Sequence, residues 1–381
     1  MGGDKGKKGG SGFWQALFLV VGAAVMATVA LVVAAPVVGP LLYGSIVTTM
    51  VESTRDGHSF APLDDGQLHV ITVGTGVAAA DTTRVQACIL VIGGDNVVMI
   101  DAGSGAARAL ELQGHPIEAL DAVLVTHPHA DRVADIPTVG MQSWYWGRNH
   151  PLDVFGPPGT KAMMAAFAKA YAGDYAMRRR FRHDGKIRKG KRTLSANSVY
   201  GRGIDVVVDK KERKVVWKGK NGFVVSAFRV HHYDESGLQS FGYRIDYRGR
   251  VVVFSGDTSP MANVARHALG ADILVHQAAP RALVPTVVRY ADGHRGDTFL
   301  QAQKHLYEDF GANHSDARSA AKIAAKADVG MLVLSPVPPL GSTVVQWLFG
   351  DAMMRDGIPE VYDGPVVVAH DGQHLSLPPR R

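Results

Sequence analysis

The sequence predicts an α/β chain whose folded part is two β-sheets packed face to face with helices outside, preceded by an apolar N-terminal segment. Three observations carry this: two blocks of short apolar strands, helical periodicity flanking each block, and a charge-free run near the N-terminus. Composition permits it. Of 381 residues 46% are hydrophobic and 20% charged, enough for a packed core, and 43 glycines suit many turns. The single cysteine, Cys88, excludes an intrachain disulfide and a cysteine-rich zinc knuckle. A metal would therefore be held by histidine and carboxylate.

Residues 1–12, "MGGDKGKKGGSG", form a flexible basic tail by composition. Residues 13–35 carry no charge and reach the about 20 residues needed to cross a bilayer, so a transmembrane anchor is expected there. A cleaved signal peptide is the alternative, given Lys5, Lys7 and Lys8 and the cleavage-like Val33-Ala34-Ala35. Against it, the apolar run exceeds the roughly 7–15 residues of a signal core, and Pro36 would follow the cut. Lysines before the span favour a single-pass topology with the main domain outside the cytoplasmic membrane. Residues 36–66 then read as stalk and linker, and residues 67–381 as one domain.

Within that domain Leu68–Gly74, Ala87–Gly94 and Asn96–Gly103 are strand candidates separated by turn residues. Ala106–Gln113, Val133–Trp146 and Thr160–Met177 have helical periodicity. The second block places strands at Lys214–Trp217, Phe223–Val230, Phe241–Tyr247 and Arg250–Phe254, the last two joined by a hairpin turning at Arg248-Gly249. Helices follow at Met261–Leu269, Asp297–Phe310 and Ser315–Ala327, with strands at Asp272–His276, Gly330–Leu334 and Val366–Ala369. The formal charge of +6 is concentrated in Met177–Arg192 and Asp209–Lys220. These stretches read either as a patch for anionic substrates or headgroups, or as a solvated helix end and a twisted hairpin. Neither has the aromatic interleaving of a nucleic-acid stacking surface.

Chemistry-bearing residues fall at strand ends. In "VLVTHPHADRVADIP" (Val123–Pro137) an apolar run ends at Thr126, and His127, His129 and Asp131 follow at spacing two. An extended chain would aim all three the same way. "FRVHHYD" puts His231 and His232 after a strand, and "VVVFSGDT" ends in Asp257 after a glycine that permits a sharp turn. Each alone is explained by a surface histidine or a turn. Three strand ends each tipped by histidine or aspartate are hard to obtain from turns alone.

Together "THPHADR", "DAGSG" (Asp101–Gly105), "HHYD", "SGDT", "ILVHQA" (Ile273–Ala278) and "HSDARSAAKIAAKADVGMLVLSPVPP" (His314–Pro339) resemble the motif set of the metallo-β-lactamase superfamily. The similarity is to its branch of ribonuclease Z and arylsulfatase-like hydrolases, and it covers Leu68 to Leu377. It implies an αββα sandwich with a metal site at the edge between the sheets. In that family two zinc ions share a water or hydroxide, and the first motif runs THxHxDH. The resemblance matches His127, His129 and His232 to the first metal, Asp257 to the carboxylate bridging both, and Asp131 to the second. It also shows departures. Arg132 stands where a second-metal histidine is expected, and "LVLSPVPP" offers Pro336 or a deletion where another would be. Gln277 replaces a glutamate that supports a catalytic histidine, itself matched by His314.

These departures imply one zinc rather than two, because two carboxylates without imidazole hold zinc weakly. Three imidazoles and a carboxylate would complete a tetrahedral zinc, leaving room for water only if Asp257 moves or the coordination expands. The reading is a membrane-anchored hydrolase of an ester or phosphoester, acting through metal-activated water. Asp131 would orient that water or act as base, and His314 would protonate the leaving group. Arg132 would partly replace the second metal and stabilise developing negative charge; alternatively it turns to solvent beside a decayed site. A small anionic ester is the expected partner and nucleic acid is not, since the anchor, the outside location and Gln277 argue against a transfer-RNA nuclease. The rival reading is a catalytically inactive binding module on the same fold.

Overall fold

Runs such as "LHVITVG" and "CILVIG" are buried along their whole length, as strands covered on both faces are, so they lack the alternation of a half-exposed sheet. In the computed structural model, which describes residues 10–57, 65–79, 81–181, 194–210, 212–234 and 237–380, they seed two seven-stranded sheets. The first contains β1 (Leu68–Gly74), β2 (Cys88–Gly93), β3 (Asn96–Ile100), β4 (Ala122–Leu124), β5 (Asp153–Gly156), β6 (Arg202–Asp205) and β14 (Gln373–Leu377). Its order is β14-β1-β2-β3-β4-β5-β6, antiparallel as far as β3 and parallel from β3 to β6.

The second sheet repeats the scheme with β7 (Arg213–Lys218), β8 (Val224–Val230), β9 (Ser240–Tyr247), β10 (Arg250–Phe254), β11 (Ile273–His276), β12 (Leu332–Leu334) and β13 (Val366–Val368). Strands β7 to β10 are antiparallel and β10 to β13 parallel. Leu68, Val91, Leu124, Phe223, Tyr243, Val252 and their neighbours fill the space between the sheets. Tyr243 also ties the sheets together near the site, its hydroxyl donating to the Val125 carbonyl at 2.7 Å, while the Phe241 N–H reaches Thr126 O at 2.9 Å.

Helices cover the outer faces. Those following the first sheet's strands are α2 (Ala106–Leu112), α3 (Ala130–Val133), α4 (Ile136–Trp146), α5 (Thr160–Ala170), α6 (Ala172–Phe181) and α7 (Ala196–Tyr200). Those of the second half are α8 (Ala262–His267), α9 (Leu283–Asp292), α10 (Thr298–Asn313), α11 (Ala317–Ala327) and α12 (Thr343–Arg355). Alanines on α11 lie flat against Leu274, Leu332 and Leu334 and let the helix approach the sheet closely. The hairpin between β9 and β10 turns at Arg248 and Gly249, both at positive φ, as expected.

Several expectations change. The helix expected over Val133–Trp146 is broken at Asp135, whose carboxylate accepts from the Ala107 N–H, so α3 and α4 are separate. Asp131 therefore lies in the first turn of α3 and not in an extended run with His127 and His129. The polar edge strand β6, the half-exposed β14 and α12 escape the sequence reading because their patterns are weakly apolar or mixed, whereas α9 is missed although its pattern is clearly amphipathic.

The chain divides into two compact units, Met1–Ser59 and Phe60–Arg381. The described part of the first is one helix, α1 (Gly10–Gly57), which continues through Pro36 and Pro40 where a stalk was expected. Among the described residues no helix is long and apolar enough to cross a membrane, so the structure does not support the expected transmembrane span. The apolar run is only part of α1, which extends into the polar Glu52–Asp56 segment. Residues 1–9 of the expected tail, 58–64 of the linker and 182–192 of the first basic stretch lie outside the described residues. The second basic stretch is the exposed edge strand β7 with its turns, where charge protects an open sheet edge.

Candidate metal centre

The tips of β4, β8 and β10 bring the predicted ligands together. His127 leaves β4 through Thr126 and is buried. The Thr126 N–H and hydroxyl donate to the two carboxylate oxygens of Asp101 at 2.8 and 2.7 Å, and the same hydroxyl oxygen lies 3.0 Å from His127 Nδ1. Because that hydroxyl already donates to Asp101, it accepts from Nδ1–H, which leaves Nε2 its lone pair. His232, after β8, donates from Nδ1 to the Asn313 carbonyl at 3.2 Å and is oriented in the same way.

His129 completes the group, its Nδ1 lying 3.0 Å from His127 Nε2 and 3.4 Å from His232 Nε2. Tetrahedral zinc with its nitrogens about 2.0–2.1 Å away would hold them about 3.3 Å from one another. His129 Nδ1 thus already stands at ligand spacing from both neighbours, and the three nitrogens lie within 4.8 Å of one another. Burial pushes His127 well below the usual histidine range and His232 to about 4, against the pull of Asp257. Both are neutral at pH 7, the form that binds a metal.

Asp257 is aimed by Gly256, which has a φ of +61° and passes so near the opposite strand that an added Cβ would lie 2.6 Å from Phe241 O, leaving no place for another residue. The Asp257 Oδ2 accepts from Arg132 Nη2 at 2.5 Å and lies 3.8 Å from His127 Nε2 and 3.7 Å from His314 Nε2. Its Oδ1 is buried and has no hydrogen-bond partner. Burial alone would raise this carboxyl, but Arg132, with His314 and His127, holds it well below the usual carboxylate range. Three convergent imidazoles with the Asp257 carboxylate next to His127 and His232 are a donor set that fits one zinc-like cation.

Arg132 does not turn to solvent. It is 2% exposed on α3, with Nη1 3.4 Å from Asp131 and Nε 4.0 Å from Asp101 in addition to the Asp257 bond. Burial disfavours its charge, yet the three carboxylates outweigh burial and keep it a cation. Burial raises Asp101 to about 7 despite Arg132 and the Thr126 bonds. Pro336 lines a cavity of about 30 Å³ with Asp101, Arg132 and Asp257, so it stands beside the guanidinium.

His314 is anchored through Nδ1 to Phe310 O at 3.0 Å and stacks on the Phe310 ring at 4.0 Å. Gln277 does not touch the imidazole; its amide pairs with the N–H and carbonyl of Ser315 at 3.2 and 3.3 Å and so fixes the adjoining backbone. Outside this cluster, His231 bonds Ser259, His305 is exposed, and Ser255 donates to Gly256 O. Trp144 packs in a small core with Val199 and Tyr200. Sequence reasoning missed Asp101 and Asn313 as orienting groups. Only the first left a signal, in the "DAGSG" turn where Asp101 adopts a φ of 56°.

The family model of the metallo-beta-lactamase superfamily matches residues 81–336, and the chain belongs to that superfamily. Its ribonuclease Z-like branch is indicated by a ribonuclease Z of Mycobacterium bovis (strain BCG / Pasteur 1173P2), 28% identical over 319 residues that cover 82% of this chain and 100% of the relative. Among solved structures, human tRNase Z, short form, superposes with a TM-score of 0.52 at 18% identity, covering 81% of this chain and 99% of that one. Zn(2+)-bound PqqB from Methylobacterium extorquens gives 0.53 at 14% identity, covering 81% and 100%. Both share the fold.

Proposed function

We propose that the chain is a hydrolase of ester or phosphoester bonds that uses one zinc ion held by His127, His129, His232 and Asp257. The observation that carries the reading is the convergence of the His127, His129 and His232 nitrogens within 4.8 Å of one another, with the Asp257 carboxylate 3.8 Å from His127 Nε2 and its second oxygen buried and without a hydrogen-bond partner. The metal supplies Lewis acidity, lowering the pKa of water and polarising the scissile oxygen. Asp131, paired with Arg132, accepts the proton of the attacking water. His314, anchored at Nδ1, donates a proton from Nε2 to the leaving group. Arg132 supplies a permanent charge where the family's second metal is expected, and stabilises negative charge in the transition state.

An RNA substrate is favoured by the name of the Mycobacterium bovis relative. The cavity at the site opposes it, because Arg132 is the only lysine or arginine among its described lining residues and three carboxylates surround that arginine. Metal content per chain tests the proposal. About one equivalent of zinc, lost in His127→Ala together with hydrolysis of nitrophenyl esters and phosphoesters, is expected. A folded protein that takes up no zinc would sink it and favour a binding module.

A further inference from the structure

Above the metal cluster lies a cavity of about 310 Å³, at the lower end of the size of small-molecule sites. Its floor is polar, formed by His129, Asp131, Arg132, Asp257 and His314. Its walls are not. Leu283 from α9, Leu306, Tyr307 and Phe310 from α10, and Pro338 and Pro339 from the loop before α12 enclose the space. Leu306 is 59% exposed, so this apolar wall opens to solvent. Tyr233, Tyr307 and Gln277 add polar atoms to this lining, but apart from Arg132 its described residues include no lysine or arginine to pair with a phosphate chain.

We infer that this wall is a subsite for an unbranched alkyl chain, and that the substrate is an ester carrying such a chain on its acyl or phosphoryl side. The inference rests on the hydrolase reading for the bond that is cleaved, but the subsite itself stands on shape and polarity. An ester head at the polar floor would lay its chain between the α9–α10 wall and the apolar Val77, Ala78, Ala79, Pro338 and Pro339. Each methylene moved from water to that wall should improve binding about two- to fourfold, so preference grows with length until the cavity is filled.

The test uses the zinc-loaded full chain. Calorimetric titration with ethylphosphonate, butylphosphonate and octylphosphonate reads the subsite without turnover, while nitrophenyl acetate, butyrate and octanoate read hydrolysis. Octylphosphonate should bind on the order of a hundredfold more tightly than ethylphosphonate, and kcat/KM should rise along the ester series. Leu306→Asp, at an exposed position that tolerates charge, should flatten both series. Equal affinity for short and long phosphonates, or an RNA oligonucleotide that displaces octylphosphonate at lower concentration than butylphosphonate does, would overturn the subsite. The two readings fail separately. Chain-length-dependent binding without hydrolysis of any ester would remove the hydrolase and keep the subsite, whereas equal hydrolysis of acetate and octanoate with flat binding would do the reverse.

Discussion

At Arg132 a single side chain, itself only 2% exposed, balances three carboxylates. Removing one partner of such a buried network leaves an uncompensated charge, which costs about 3–5 kcal/mol. Arg132→Met is therefore expected to lower the stability of the metal-free protein by about 3 kcal/mol or more in urea unfolding, and zinc should restore part of it by neutralising Asp257. The double substitution Arg132→His with Pro336→His places two imidazoles beside Asp131 and Asp257. Zinc content should rise from about one to about two equivalents. An unchanged content would mean that Arg132 is not standing in for a cation. Histidines outside the site set a pH dependence. Burial, helped by nearby charges, lowers His115 and His267 from 6.5 to about 4. The unfolded chain thus binds more protons between those values, so the stability they contribute is full above 6.5 and is lost as the pH falls toward 4. Melting temperatures that stayed level across this window would contradict the burial assigned to them.

Among the elements, α3 carries Asp131 and Arg132 on four residues, and it is held against the loop after β3 by the Ala102 N–H, which donates to Arg132 O at 2.6 Å, and by a close backbone approach beside it. There the Gly103 backbone passes so near the Asp131 carbonyl that an added Cβ would lie 2.2 Å from it. Gly103→Ala must push α3 away and should cost about 1–3 kcal/mol, with weaker zinc affinity read by competition against a metal indicator. Loss of stability without loss of affinity would show that α3 does not position the site. Sequence reading reached most of these elements because their signals are local. β1 and β10 coincide with the apolar runs at Leu68–Gly74 and Arg250–Phe254, and the candidate ligands sit just beyond the ends of β4, β8 and β10. It reached His127, His129, His232 and Asp257 for the same reason. It did not reach the Asn313 carbonyl that orients His232, or the α9–α10 wall, because these depend on packing between segments far apart in the chain. The side chain of Arg132 lay in between: its charge was legible, and its direction was not.

For the whole molecule, β14 closes the first sheet. It covers the edge of β1, a strand buried along its full length, through pairs from Leu68–Leu377 to Thr72–Gln373. Deleting residues 373–381 should leave β1 as an open apolar edge and turn a monodisperse preparation into one that scatters light on gentle warming. A truncated chain that stays monodisperse would show that the edge is protected by something other than β14. The two sheets place their parts unevenly. The first supplies His127, His129, Asp131 and Arg132 from the end of β4, and the second supplies His232 and Asp257 from β8 and β10. The guanidinium that joins them at Asp257 is made with the chain, whereas an ion has to be acquired from the surroundings. The bond between the halves at this point therefore forms at synthesis, and scarcity of metal in the environment leaves it intact.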